Sequence, residues 1–293
     1  MRRIESLDPE TDYREITMLF YQDFQAIMVL QAVTGNLMTF AVPRMSRILA
    51  ATGQFERHTA KRVIDTTLLV SAVLAHGLGP GTGREAARRV NAMHREYDIH
   101  PDDFIAVGCD VPLMSLAIAD QFGWRPVTGA ERESLRILYS KEARAFGSHR
   151  PLPPTLAEMH AFWDHYLDAQ ITYEPQNKRL ADAFLAYLPS LAPAPLRPLI
   201  GPLLLAQVDP RILRGCGLSL PSAARKRIST AVLRQVGKRS AAPANTEGQE
   251  GAMAKMAGPI YPNGWTVNTL GTHLSPHGAT PPAAAAEPEE EVL

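Results

Sequence analysis

Apolar residues recur at helical spacing through almost the whole of the first 239 positions. In the stretch 84–97 (REAARRVNAMHREY), Ala86, Val90, Met93, His94 and Tyr97 share one face, and charged residues spread over the rest. Just upstream, Arg62, Asp65, Thr66, Leu69 and Val73 fall at i, i+3, i+4, i+7 and i+11 of a helix predicted over about 56–76. Asp8-Pro9 opens a helix expected to run through Tyr21 and Phe24 towards Val33, with proline in its first turn. A second is expected near 37–51, ending at Gly53. Pro101 starts another that runs to about Phe122. Thr128/Glu131 and Thr155/Glu158 have the spacing of capping boxes for helices to about Phe146 and Ala169, as Thr82/Glu85 does for the His94 helix. Further helices are expected near 178–187, 196–207, 210–215 and 221–236. No run alternates apolar and polar residues between turns as a strand would, so the expected class is all-α.

After Arg239 the periodicity stops, and Ala, Pro, Gly, Ser and Glu dominate. The expected organisation is one helical domain over 1–239 and a disordered tail over 240–293, with Tyr261 and Trp265 in IYPNGW able to dock locally. The formal charge of zero hides a split along the same boundary. From Ser240 onward there are six acids and one base, so residues 1–239 carry a surplus of five positive charges. That is too mild to make nucleic acid the main partner. Two cysteines, Cys109 and Cys216, make neither a disulfide framework nor a thiolate metal site, which suits a reducing, cytoplasmic compartment. The N-terminus shows no secretory signal. The longest uncharged run before the tail, Phe24 to Pro43, is about as long as a membrane span. It contains several amides and hydroxyls and a Thr34-Gly35-Asn36 break, and is expected to be the end of one buried helix and the start of another.

His94 stands where an apolar side chain is expected, and it must be hydrogen-bonded, stacked or bound to something. Burying the Arg62–Asp65–Thr66 cluster without partners would cost several kcal/mol. A short glycine-rich turn, Gly77 to Gly83, joins the two helices, so their faces should pack as an antiparallel pair. The turn follows a helix and lacks both G-x-G-x-x-G spacing and a Gly-Lys-Ser/Thr ending, which favours a flexible connection over a phosphate cradle. His160, Asp164 and Asp168 have metal-compatible spacing, but the apolar residues of that helix lie mostly opposite, which favours a solvated polar face. The basic amphipathic segment 221–239 could rest on an anionic membrane surface, although a packed helix with its charges in water is the simpler reading. A neutral imidazole on an apolar wall suits an axial haem ligand, a nearby arginine suits a propionate, and a small polar group suits bound oxygen. From the residues alone, a haem or metal pocket and a structural polar core remain equal alternatives.

Several motifs in order resemble the MpaB/rubber-oxygenase catalytic-domain family. They are R-x-x-D-T at Arg62, Asp65 and Thr66; R-x-N-x-x-H at Arg89, Asn91 and His94; I-x-x-D-D from Ile99; T-x-A-E-R-E from Thr128; P-x-T-x-x-E from Pro153; and P-L-R-P-L from Pro195. The resemblance spans about residues 8–238. It implies a single globin-like helical domain that binds haem b and uses O2 as co-substrate on a hydrophobic, isoprenoid or lipid-like molecule, by oxidative C=C cleavage. It implies His94 as the iron ligand, with Arg62 binding the cofactor and Asp65 and Thr66 as catalytic groups. The match is to the MpaB-like branch: Asp65 stands where the rubber-cleaving branch carries a lysine, so a distal lysine ligand is not expected. Ala106-Val107-Gly108 replaces a Trp-Val-His triplet found in many relatives. The alternative is a non-catalytic haem- or lipid-binding helical protein that kept the pocket.

Overall fold

A long central helix, Pro101–Phe122, organises the fold, and its sequence explains its start. Pro101 occupies the first helical position, Asp102 and Asp103 fill the first turn, and His100 accepts the Asp102 N–H at 3.2 Å. Its buried residues, including Ile105, Cys109, Leu113, Leu116 and Phe122, belong to the main core cluster. The computed structural model describes residues 2–239 and 256–271, and no strand occurs among them. In chain order the helices are α1 (Arg2–Glu5), α2 (Tyr13–Phe24), α3 (Val29–Ala41), α4 (Pro43–Thr52), α5 (Gln54–Arg57), α6 (Thr59–His76) and α7 (Thr82–His94). They continue with α8 (Pro101–Phe122), α9 (Gly129–Ala145), α10 (Leu156–Gln170), α11 (Pro175–Tyr187), α12 (Arg197–Leu205), α13 (Pro210–Gly215) and α14 (Ala223–Arg239). The protein is all-α, and α8 packs against α3, α9, α10 and α14.

Buried polar side chains pin this bundle together. Arg125, in the loop after α8, reaches Asp23 at the end of α2 (2.6 Å) and Glu131 in the first turn of α9 (2.6 Å). Glu131 also completes the capping box with Thr128, as the spacing predicts, and Thr155 with Glu158 forms the second box. Asn177 is fully buried; its amide donates to the Thr172 and Gly215 carbonyls, and its oxygen accepts from Ser46. The core has two parts. The larger surrounds Phe20, Phe24, Leu37, Phe40, Phe122 and Met159. The smaller joins Ile64, Leu68, Leu69, Ala72 and Val73 of α6 to Ala86 and Ala87 of α7, and is completed by Ala257, Val267 and Leu270.

Five expectations need correction. The helix expected near 37–51 is two, because Pro43 starts α4 and holds Val42 extended after α3 ends at Ala41. The first long helix begins at Tyr13, because the Asp8 carbonyl and carboxylate hold residues 10–12 in a turn. It breaks at a 3-10 turn, Gln25–Ile27, and the Thr34-Gly35-Asn36 triplet lies inside α3. Gly35 serves packing there: a Cβ would sit 3.0 Å from the Asp110 carboxylate. Thr82 makes no capping box, because Gly81 at φ 122° is the N-cap and Thr82 is already helical. Finally, within the expected disordered tail Tyr261 docks as allowed for, Trp265 stays exposed, and the packing extends over 256–271; the rest of that tail lies outside the described residues. No single described helix is long and apolar enough to cross a membrane, and the apolar pair Tyr13–Ile27 and Val29–Ala41 is bent by 88°.

Candidate functional site

The α6–α7 pair is antiparallel, as expected, and the glycines make the connection tight. Gly77 turns at φ 70°, and Gly83 lies so close to the Gly77 carbonyl that a Cβ there would overlap it. His94 sits in the last turn of α7 and faces the end of α9. The final carbonyls of a helix lack intrahelical partners, and two side chains of α7 supply them. His94 Nδ1 lies 2.8 Å from the Phe146 carbonyl, and Asn91 Nδ2 donates to the Ala145 carbonyl at 3.4 Å. A carbonyl only accepts, so Nδ1 carries the proton and Nε2 is the free lone pair of a neutral ring. Burial lowers the His94 pKa, opposed by the Phe146 carbonyl and reinforced by the nearby Arg62 charge. Phe104 packs edge-to-face with the imidazole, ring centroids 5.5 Å apart.

The Arg62–Asp65–Thr66 cluster divides. Arg62 is half-buried, hydrogen-bonds to Thr66 Oγ1, and forms no ion pair among the described residues. Burial lowers its pKa, partly offset by Asp65 and Tyr97. Thr66 is exposed, and its hydroxyl donates back to the Arg62 carbonyl at 3.0 Å. Asp65 is buried, and its ion-pair partner is Lys61 one turn earlier (2.5 Å), not Arg62. Its remaining donors come from far along the chain: the Tyr261 hydroxyl and the Gly271 N–H, the latter at 2.8 Å. The void beside Arg62 and Asp65, lined also by Gln54, His58, Lys61 and Gly271, measures about 10 Å³, space for one water.

The structure therefore brings His94 and Arg62 together and turns Asp65 towards residues 256–271. Sequence reasoning missed Asn91 as a cap and Lys61 as the Asp65 counter-ion, although an i, i+4 pair is a readable signal. It gave Tyr261 no polar role. Elsewhere, Arg211 bridges Asp164 (2.8 Å) and Asp168 (2.7 Å) at the surface, which agrees with a solvated polar face. A cleft of about 290 Å³ lies beside that clamp, between Tyr173 and Arg214. No group of three or more His, Cys, Asp or Glu positioned to hold a metal ion occurs among the described residues.

A family model described as the ER-bound oxygenase mpaB/B'/rubber oxygenase catalytic domain matches residues 20–239. The chain belongs to this oxygenase family. The match covers most of the chain and takes in both halves of the site, from α6 through His94 to the end of α9. It stops short of residues 256–271, so the segment that engages Asp65 lies outside the matched oxygenase domain. No curated protein matches the chain.

Proposed function

We propose that this member of the mpaB/rubber-oxygenase family is a haem b-dependent oxygenase acting on a hydrophobic, isoprenoid or lipid-like substrate by oxidative C=C cleavage. The observation that carries the reading is His94: a neutral imidazole, its Nδ1 fixed by the Phe146 carbonyl, with Nε2 free. That is the donor arrangement of a histidine metal ligand, whose second nitrogen is oriented by a carbonyl. Arg62 supports it as a half-buried guanidinium that feels the Asp65 charge but forms no ion pair among the described residues, suited to a propionate carboxylate. Haem held there would supply dioxygen activation. Asp65 would hold or move a proton at its carboxylate, and Thr66 would offer its hydroxyl as a donor once it leaves the Arg62 carbonyl. Asp65 is free to do so only when Tyr261 and Gly271 withdraw, and the 10 Å³ void requires the same withdrawal before a porphyrin fits beside it.

Titrating the full chain with hemin should give a saturable Soret shift at about one equivalent, lost in His94→Ala and weakened in Arg62→Met. An unchanged axial-ligand spectrum in His94→Ala would overturn the assignment. Oxygen uptake with unsaturated isoprenoid lipids separates an oxygenase from a non-catalytic haem or lipid binder.

We further propose a reducing, cytoplasmic compartment, which two free, buried cysteines support. We also propose that α14 rests on a membrane surface. α14 carries six Arg and Lys residues and no acid; it packs through Ser229, Leu233 and Gly237 and leaves Ile228 60% exposed. Sedimentation with anionic vesicles but not neutral ones, reversed by Arg225→Glu/Arg227→Glu, is the expected result. Equal binding to both vesicle types would refute it.

A further inference from the structure

The small core cluster between α6 and α7 is completed by a segment with little structure of its own. Residues 256–271 contain a helical turn at 256–257, one 3-10 turn, Val267–Thr269, and a few turn hydrogen bonds, yet bury Leu270 completely and Val267 and Ala257 almost so. The apolar side chains lie on Ile64, Leu68, Ala72, Ala86 and Met93. The polar anchors gather at one end. The Tyr261 hydroxyl and Gly271 N–H donate to Asp65, Lys61 reaches the Gly271 carbonyl at 3.3 Å, and Arg89 reaches the Leu270 carbonyl at 3.1 Å. Segments held by so few contacts open at a small fraction of the global unfolding free energy.

We propose that residues 256–271 are a displaceable occupant of this α6–α7 groove, and that the groove binds an apolar molecule carrying a hydroxyl donor. The occupant's own chemistry defines the ligand. A groove emptied of the segment would expose an apolar wall and, among the described residues, leave the Asp65 carboxylate hydrogen-bonded to Lys61 alone. An apolar molecule that buries this carboxylate again must supply the donor that the segment withdrew. Because Lys61 already neutralises it, a second cation would be repelled; a neutral hydroxyl, as on Tyr261, fits. The void of about 10 Å³ at the Gly271 end, lined by Gln54, His58 and Lys61, marks the seam where the segment leaves the groove unfilled. The segment lies outside the family-matched residues 20–239. The inference stands on the groove alone and does not rest on the haem reading.

The test uses full-length, haem-free protein, with 4-hexylphenol as the probe and hexylbenzene as its hydroxyl-free counterpart. Saturating hexylphenol should raise amide hydrogen exchange across 256–271, with hexylbenzene binding on the order of tenfold more weakly. Tyr261→Phe and, separately, Leu270→Ala should each tighten hexylphenol binding severalfold, because each weakens the competitor without touching the groove. Absence of saturable binding overturns the proposal, as does binding that leaves exchange across 256–271 unchanged or affinity that neither variant improves. Hemin titration of the same samples is read separately: exchange that responds to hexylphenol while hemin fails to bind sinks the haem reading and leaves this one standing.

Discussion

Replacing His94 by leucine separates its two roles, because the structure assigns a different nitrogen to each. Nδ1–H caps the Phe146 carbonyl at 2.8 Å, and Nε2 has no hydrogen-bond partner among the described residues. Removing the ring deletes one hydrogen bond, worth about 0.5–1.5 kcal/mol net, and leaves a carbonyl short of its donor for a total of about 1–3 kcal/mol. For a domain of this size that is roughly 2–12 °C in melting temperature. The pH dependence gives a sharper signature. Burial holds the folded His94 pKa below its ordinary value, so the unfolded chain takes up a proton first as pH falls. Stability from this group is present above about pH 6.5 and drains away below it, by at most about 1.4 kcal/mol per pH unit. Thermal melts of haem-free wild type and His94→Leu between pH 5 and 8 should therefore converge towards the acid end. Hemin titration should lose the imidazole-ligated spectrum in the variant. Parallel melting curves across the whole range would show that His94 is not held neutral in the fold, and would remove the basis for presenting Nε2 to iron.

Arg125→Met should cost about 3–5 kcal/mol by stranding the buried Glu131; Arg211→Met, which leaves exposed aspartates at 164 and 168 and a quarter-exposed Asp209 still bonded to the Arg211 N–H, should cost less, about 1–2 kcal/mol. Equal melting shifts for the two would refute the claim that burial, rather than the number of bonds, sets the difference. A double-mutant cycle between Asp65→Asn and Tyr261→Phe should show a coupling of about 0.5–3 kcal/mol, and additivity would mean that the hydroxyl does not hold the segment. Burial raises the Asp110 pKa to about 7 and that of Glu142 to about 8. The folded chain then keeps protons that the unfolded chain has released, so these groups make stability fall as pH rises from the ordinary carboxylate range to about 8. Asp110→Asn and Glu142→Gln should each flatten that decline in thermal melts; an undiminished slope in both would show that neither carboxyl is responsible.

Helix periodicity carried the all-α class and most elements, because a helix in a packed bundle must keep one apolar stripe and the stripe is written locally. The two capping boxes at Thr128 and Thr155 are equally local, and both formed. The failures have two physical causes, a competing local turn and a contact far along the chain. Gly35 looked like a break because glycine weakens helices, yet its missing side chain admits Asp110 from α8. Thr82 lost its capping role to a glycine whose left-handed turn brings α7 against α6.

The site shows the same limit more sharply. Spacing placed Arg62, Asp65 and Thr66 on one face, but a helical face is a direction, and what covers it decides whether a group is buried, paired or wet. Here Thr66 faces solvent, Arg62 lies beside His94, and Asp65 meets a segment about two hundred positions away in sequence. IYPNGW marked a place where this segment could dock, but averaging hid how far the packing extends. Across residues 240–293 the proline, alanine and glutamate content is that of a chain unable to fold alone. Within it, MAGPIYPNGWTVNTLG has no charge and carries Ile260, Tyr261, Val267 and Leu270 without helical period. A segment that completes another element's core needs no period of its own, only apolar side chains and a donor at the right reach. Amphipathicity therefore finds the elements that build a core and overlooks the one that closes it, and in this chain the closing element holds Asp65.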